Sequence, residues 1–183
     1  MDLTLSWDLF VIVFFGVVIS YSFIIGLEES VKVIVFTYVA MVAAQGAGSL
    51  LAQASQYSQP LLTSFGLGID ATVLDASKLV LFIAMIVLLA IRGGFAMESD
   101  IGNNAISTVV TGVLGFATGG LLLTALLTFI TGMPLVDAHM SAPASLAMLM
   151  QQSELLKNMV VYRDAWLSAP ALLLIVVGLI AKD

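Results

Sequence analysis

The chain reads as an all-α membrane protein: four transmembrane helices followed by a C-terminal amphipathic, kinked or partial apolar helix. Three observations lead there. The 183 residues are 61% hydrophobic and only 10% charged, with a mean hydropathy of +1.13, whereas soluble domains carry roughly 25% charged residues. A soluble domain of this size buries only about 70% of its surface, so it could not hide that much apolar area. The second observation is a set of charge-free runs, 19 residues over 9–27 and 27 residues over 105–131. At ~1.5 Å per residue, helices of these lengths match or exceed the ~30 Å of bilayer hydrocarbon. Third, the longer run carries Thr108, Thr111, Gly112, Gly115 and Gly119 at spacings of three and four. Gly115 and Gly119 form a GxxxG pair, which lets two membrane helices bring their backbones together. This stretch is expected to be the central helix of a single polytopic domain spanning 1–183.

The first span, 9–27, is preceded by Trp7 and Asp8. Tryptophan suits a membrane interface and an acidic side chain favours the positive end of a helix. Met1-Asp2-Leu3 lacks the positive n-region of a cleaved signal peptide, so this span is expected to be retained. Glu28, Glu29 and Lys32 mark a short turn. The second span, 33–52, carries Ala40, Ala44 and Gly48 as another small-residue face. Gln45 lies beside it and either finds a partner inside the bundle or bonds to interfacial water.

Residues 53–69 read as a polar loop, with a short interfacial segment as the alternative at its apolar end. Asp70 is a plausible N-cap for the third span, 71–91. Asp75 and Lys78 fall one turn apart near its edge, where they can pair and the lysine can snorkel. A proton or ion pathway is the sharper reading of those two residues. The fourth span is 105–131, and beyond it 144–164 has amphipathic periodicity. Leu146, Leu149, Met150, Leu156 and Val160 lie on one side, with Gln151, Glu154 and Asn158 on the other. In the C-terminal region 144–181, Ser168-Ala169-Pro170 looks like a helix start. Only 12 residues remain from Pro170 to Ala181, roughly 18 Å of helix. The tail therefore either kinks at the proline or enters the membrane partway.

Several chemistries are not expected. There is no cysteine, HExxH or GxSxG, and no paired carboxylates in mid-span. No catalytic, cofactor-binding or metal residue is assigned. His139, with Met133, Met148 and Met150 nearby, is a thin ligand set for a soft metal and reads otherwise as structural. The net charge of −6 argues against nucleic acid. Basic residues divide almost evenly between the two sides, so charge does not orient the chain.

The layout resembles the colicin V production protein (CvpA) family of bacterial inner-membrane proteins. The resemblance lies in Asp8 followed by the aliphatic run Leu9-Phe10-Val11-Ile12-Val13, and in Gly26 before Glu28 and Glu29. It continues in Thr111-Gly112-Val113-Leu114-Gly115-Phe116-Ala117-Thr118-Gly119, in Ser153 to Leu156, and in Pro170-Ala171-Leu172-Leu173. The chain departs from the family pattern at Glu28-Glu29, where basic residues are usual. It departs again at Ser107-Thr108, where an Asp-Arg pair is usual, and at Thr118, where arginine is common. The resemblance implies a multi-pass protein of the cytoplasmic membrane with the first turn cytoplasmic. It also implies an accessory or scaffold role in colicin or toxin export and envelope homeostasis, without enzymatic activity. Asp8, Gly26, Gly115 and Gly119 carry over as structural or interaction candidates, joined by Gln45 and Gly48. The expected partners are the lipid bilayer and a membrane protein or second copy of the chain. A small oligomeric channel or transporter is the alternative.

Overall fold

A computed structural model describes residues 7–64, 71–92, 104–132 and 151–180. Among these residues every regular element is a helix: α1 (Trp7–Ser64), α2 (Ala71–Arg92), α3 (Asn104–Thr131), α4 (Glu154–Val161) and α5 (Arg163–Ile180). In hydrocarbon each backbone N–H and C=O must be satisfied within its own segment, and a helix does that without a partner strand. Part of α1, Trp7–Ala54, and the Ala105–Thr131 stretch of α3 are long and apolar enough to cross a membrane. The bent pair α4–α5 qualifies as a third if it is counted as one span.

The boundaries of α2 and α3 fall within a residue of the expected 71–91 and 105–131. The first two spans differ from expectation in how they join. α1 is one element broken at Gly26 alone, where φ is 83° and ψ −179°. That conformation is essentially restricted to glycine. Helix resumes at once, so Glu28, Glu29 and Lys32 are helical rather than a turn, and Lys32 bonds Glu29 one turn back at 2.5 Å. The buried Ser30 hydroxyl donates to the Gly26 carbonyl at 2.8 Å and lies 3.4 Å from that of Ser22. It thus occupies the gap the break leaves in the backbone ladder. The second arm also continues past residue 52 to Ser64, through 53–64 that polarity alone assigned to a loop. Alanine and glutamine are good helix formers, and nothing before Pro60 in this stretch breaks a helix. Over 27–64 the arm reaches about 57 Å, longer than the ~30 Å of bilayer hydrocarbon.

The C-terminal region is bent at a different place from the one expected. α4 begins at the N-cap Ser153, whose hydroxyl accepts from the Leu156 amide at 3.0 Å. It ends at Tyr162, whose amide is satisfied by the Asn158 and Val160 carbonyls. α5 starts immediately at Arg163, 68° away in direction. Pro170 is therefore inside α5 and buried, not at its start. The chain turns at Tyr162, where φ −98° and ψ 27° leave the helical region. Leu156 and Met159 form the buried side of α4, with Glu154, Lys157 and Asn158 exposed, as its periodicity requires. Asp70, His139 and residues 133–150, with their methionines, lie outside the described residues.

The described chain forms two compact units. The first contains α1 up to Val35, α3 up to Thr124, α4 and α5; the second contains α1 from Phe36, α2, and α3 from Ala125. Burial separates the two long helices. In its most apolar window α1 is 11% buried inside the protein, against 67% for α3. Over these windows α3 is the more covered helix, and the most apolar window of α1 leaves most of its residues at the surface.

Candidate functional site

In the first unit the small-residue face of α3 lies against the first arm of α1. A Cβ placed on Gly115 would stand 2.9 Å from Ser22 Cβ and Oγ and 3.2 Å from the Ile19 Cα. The last contact is backbone to backbone, the approach that a glycine stripe permits. On Gly119 a Cβ would meet the Phe15 ring at 3.0 Å, and on Gly112 the Phe23 ring at 3.1 Å. The adjacent Gly120 lies under the Trp166 indole of α5. Thr111 and Thr118 on the same helix return their hydroxyl protons to carbonyls four residues back, at 2.8 and 2.7 Å. That removes two polar donors from an apolar interior.

Asp8 belongs to this unit and does more than face its own helix end. Its carboxylate accepts from the Ser153 hydroxyl at 2.5 Å and from the Leu155 amide at 3.3 Å. A relay results, in which the Leu156 amide donates to Ser153 and Ser153 donates to Asp8. The start of α1 is thereby tied to the start of α4, with Asp8 favoured by the positive end of α4. The neighbouring Trp7 indole donates to the Gln152 side chain at 3.0 Å.

Beneath that polar tie is a cleft of about 550 Å³. Ile12, Phe15 and Ile19 of α1 form one wall, Phe116 of α3 contributes to the lining, and Met159 and Trp166 form the opposite side. Phe15, Phe116 and Trp166 contact one another, with ring centroids 5.1–5.8 Å apart. Gly16 also lines the cleft, and a Cβ there would meet nothing within 4 Å. The lining is almost wholly apolar; Asn158, Tyr162 and Trp166 are the lining residues with polar side-chain groups, spread from the middle of α4 to the start of α5. Phe15, Phe116 and Trp166 were not singled out by sequence. Their only signal is aromatic character in apolar runs, which does not say which rings meet.

The second unit holds Gln45 and Gly48 among the sequence-selected residues, while Gly26 belongs to the first. Ala40, Ala44 and Gly48 are all buried, so this face of α1 points inward. Gly48 receives the aliphatic stem of Lys78, whose ammonium pairs with Asp75 at 3.1 Å. The Asp75 carboxylate in turn rests on Gly132, which has φ +67° just after α3. The ion pair anticipated within α2 therefore sits between Gly48 of α1 and Gly132, just after α3. Gln45 is half-buried on the same arm of α1, and its backbone carbonyl accepts from Ser49 at 3.0 Å. Gly26 is the break in α1 and touches neither glycine stripe through a side chain. Among the described residues no group of three His, Cys, Asp or Glu could hold a metal ion. Compared with known proteins, the chain matches no family model, no curated protein and no solved structure.

Proposed function

We propose that this chain is a four-span integral protein of the bacterial cytoplasmic membrane that acts as an accessory or scaffold rather than as a catalyst. In this reading the two arms of α1, α2 and α3 are the spans, and α4 lies at the membrane surface with α5 entering the apolar layer. The observation that carries it is the outward apolar surface of α1, with Ile12, Val13, Val17 and Ile24 each more than half exposed. Large exposed apolar patches require a non-aqueous neighbour, and here lipid supplies it. The role in toxin export and envelope homeostasis follows the CvpA-family resemblance. Gly26 supports it by standing where that pattern closes the first span, as does the close approach at Gly115. Partner contact is favoured over ion conduction because Thr111 and Thr118 already bond their own helix.

Two measurements test the proposal. The full chain is expected to stay in the membrane pellet under alkaline carbonate and to need detergent for release. Gentle extraction is then expected to bring down export or envelope proteins reproducibly, while liposomes holding the chain conduct no ions. Release by carbonate would refute the membrane assignment. A flux abolished by Gln45→Leu would replace the scaffold by a channel.

A further inference from the structure

We infer that the polar side of α4 lines a water-filled inlet, which enters the membrane beside Asp8 and ends at Arg163 and Asp164. The inference rests on the membrane placement proposed above and refines it, because α4 starts at the surface but does not stay there. Asp8 holds Ser153 and Leu155 at the start of α4. Phe15 meets Trp166, one turn into α5, with ring centroids 5.8 Å apart. Between those two contacts α1 advances seven residues, about 10 Å, and the eight residues of α4 cover about 12 Å. α4 therefore descends beside the first arm of α1, in the same direction. A second measure of depth comes from α3. Trp166 lies over Gly120, eleven residues from the Thr131 end of that helix and so about 16 Å along it. Both measures carry Trp166, and with it the 68° bend, well into a hydrocarbon layer whose half-thickness is about 15 Å.

Along that descent the exposed side chains do not suit lipid. Glu154, Lys157 and Asn158 all face outward. Asp164, in the first turn of α5, keeps 78% of its side chain exposed although Arg163 Nε stands 3.6 Å away. Charged groups at membrane depth face one another or a water-filled cavity. A lysine stem can carry its ammonium back to the headgroups. Aspartate, with a single methylene, cannot, so water has to reach Asp164. The inlet is blind, since the exposed side chains farther along α5 are Leu172, Ile175, Val176 and Leu179. It admits water and small hydrated ions toward mid-membrane without passing them across, in keeping with the absence of ion flux expected above.

The chain has no cysteine, so single cysteines sense local water without background. Only the thiolate is nucleophilic, and a thiol in hydrocarbon stays protonated. Asp164→Cys, Glu154→Cys, Val17→Cys and Leu172→Cys are each placed in the full chain and reconstituted in phospholipid vesicles. Sulfonatoethyl methanethiosulfonate, charged and membrane-impermeant, is supplied on both sides of the bilayer. All four positions are exposed on the protein, so rate differences reflect what surrounds them. Asp164→Cys is expected to react within about tenfold of Glu154→Cys, and at least about 100-fold faster than Val17→Cys or Leu172→Cys. Lys157→Cys, on the same side of α4, takes its place should Asp164→Cys fail to insert. A rate as low as that of Val17→Cys would overturn the inlet, whether lipid or a second copy covers the face. Val17→Cys reacting as fast as Glu154→Cys would instead strike the membrane reading itself, and the inlet with it.

Discussion

Gly115→Ala isolates the contact between α1 and α3. The added methyl would lie 2.9 Å from Ser22 Cβ and 3.2 Å from the Ile19 Cα, well inside van der Waals contact. A side chain can rotate away, but a Cα cannot, so the two helices must part. Overpacking of this kind costs about 1–3 kcal/mol. Replacing glycine by alanine within a helix returns at most about 0.5–1 kcal/mol. The net expectation is a loss centred on about 1 kcal/mol and reaching about 2.5 kcal/mol, measured as a shift in unfolding midpoint when SDS is titrated into mixed micelles. Ser22→Gly removes the Cβ and Oγ that clash. The double variant should therefore be more stable than the two single effects predict, by about 0.5–3 kcal/mol of coupling. Gly119→Ala should cost less, since it meets a Phe15 ring that can turn. A Gly115→Ala protein as stable as the parent, or two substitutions that simply add, would refute the reasoning.

Gly26→Ala should destabilise by about 1–3 kcal/mol although no atom lies near, because the loss is backbone strain at φ +83°. Gly16→Ala, in ordinary helix with equal open space, should be neutral or slightly stabilising in the same titration. Asp8→Ala should speed hydrogen exchange at the Leu155 and Leu156 amides and cost about 1 kcal/mol, the usual value of a lost cap. Asp8→Asn keeps an acceptor and should lose less. Gly48→Val should displace the Lys78 stem and break its pair with Asp75. Since that pair is partly exposed, Lys78→Ala alone should cost no more than about 1 kcal/mol. A much larger loss on Lys78→Ala would assign the pair a role beyond packing.

Local chemistry determined the class of this protein and much of its segmentation. Hydrocarbon leaves a polypeptide backbone few options, so the charge-free run after Asn103 and Asn104 reads directly as α3, while α2 follows from extending the 13-residue run 79–91, too short alone, back to Ala71. The pairing of Asp75 with Lys78 was legible too, because both lie on one turn of one helix. Tertiary structure decided what local pattern could not. Gly16 and Gly115 are alike in sequence, each a glycine in an apolar helix. One faces open space and the other a backbone more than ninety positions away. Nothing near Asp8 announces Ser153, and nothing near Gly120 announces Trp166. The bend likewise falls at Tyr162, whose φ and ψ leave the helical region, rather than at Pro170. Periodicity reports which side of a helix is apolar; which partner fills that side depends on shape matched across distant segments, and only the folded chain contains that information.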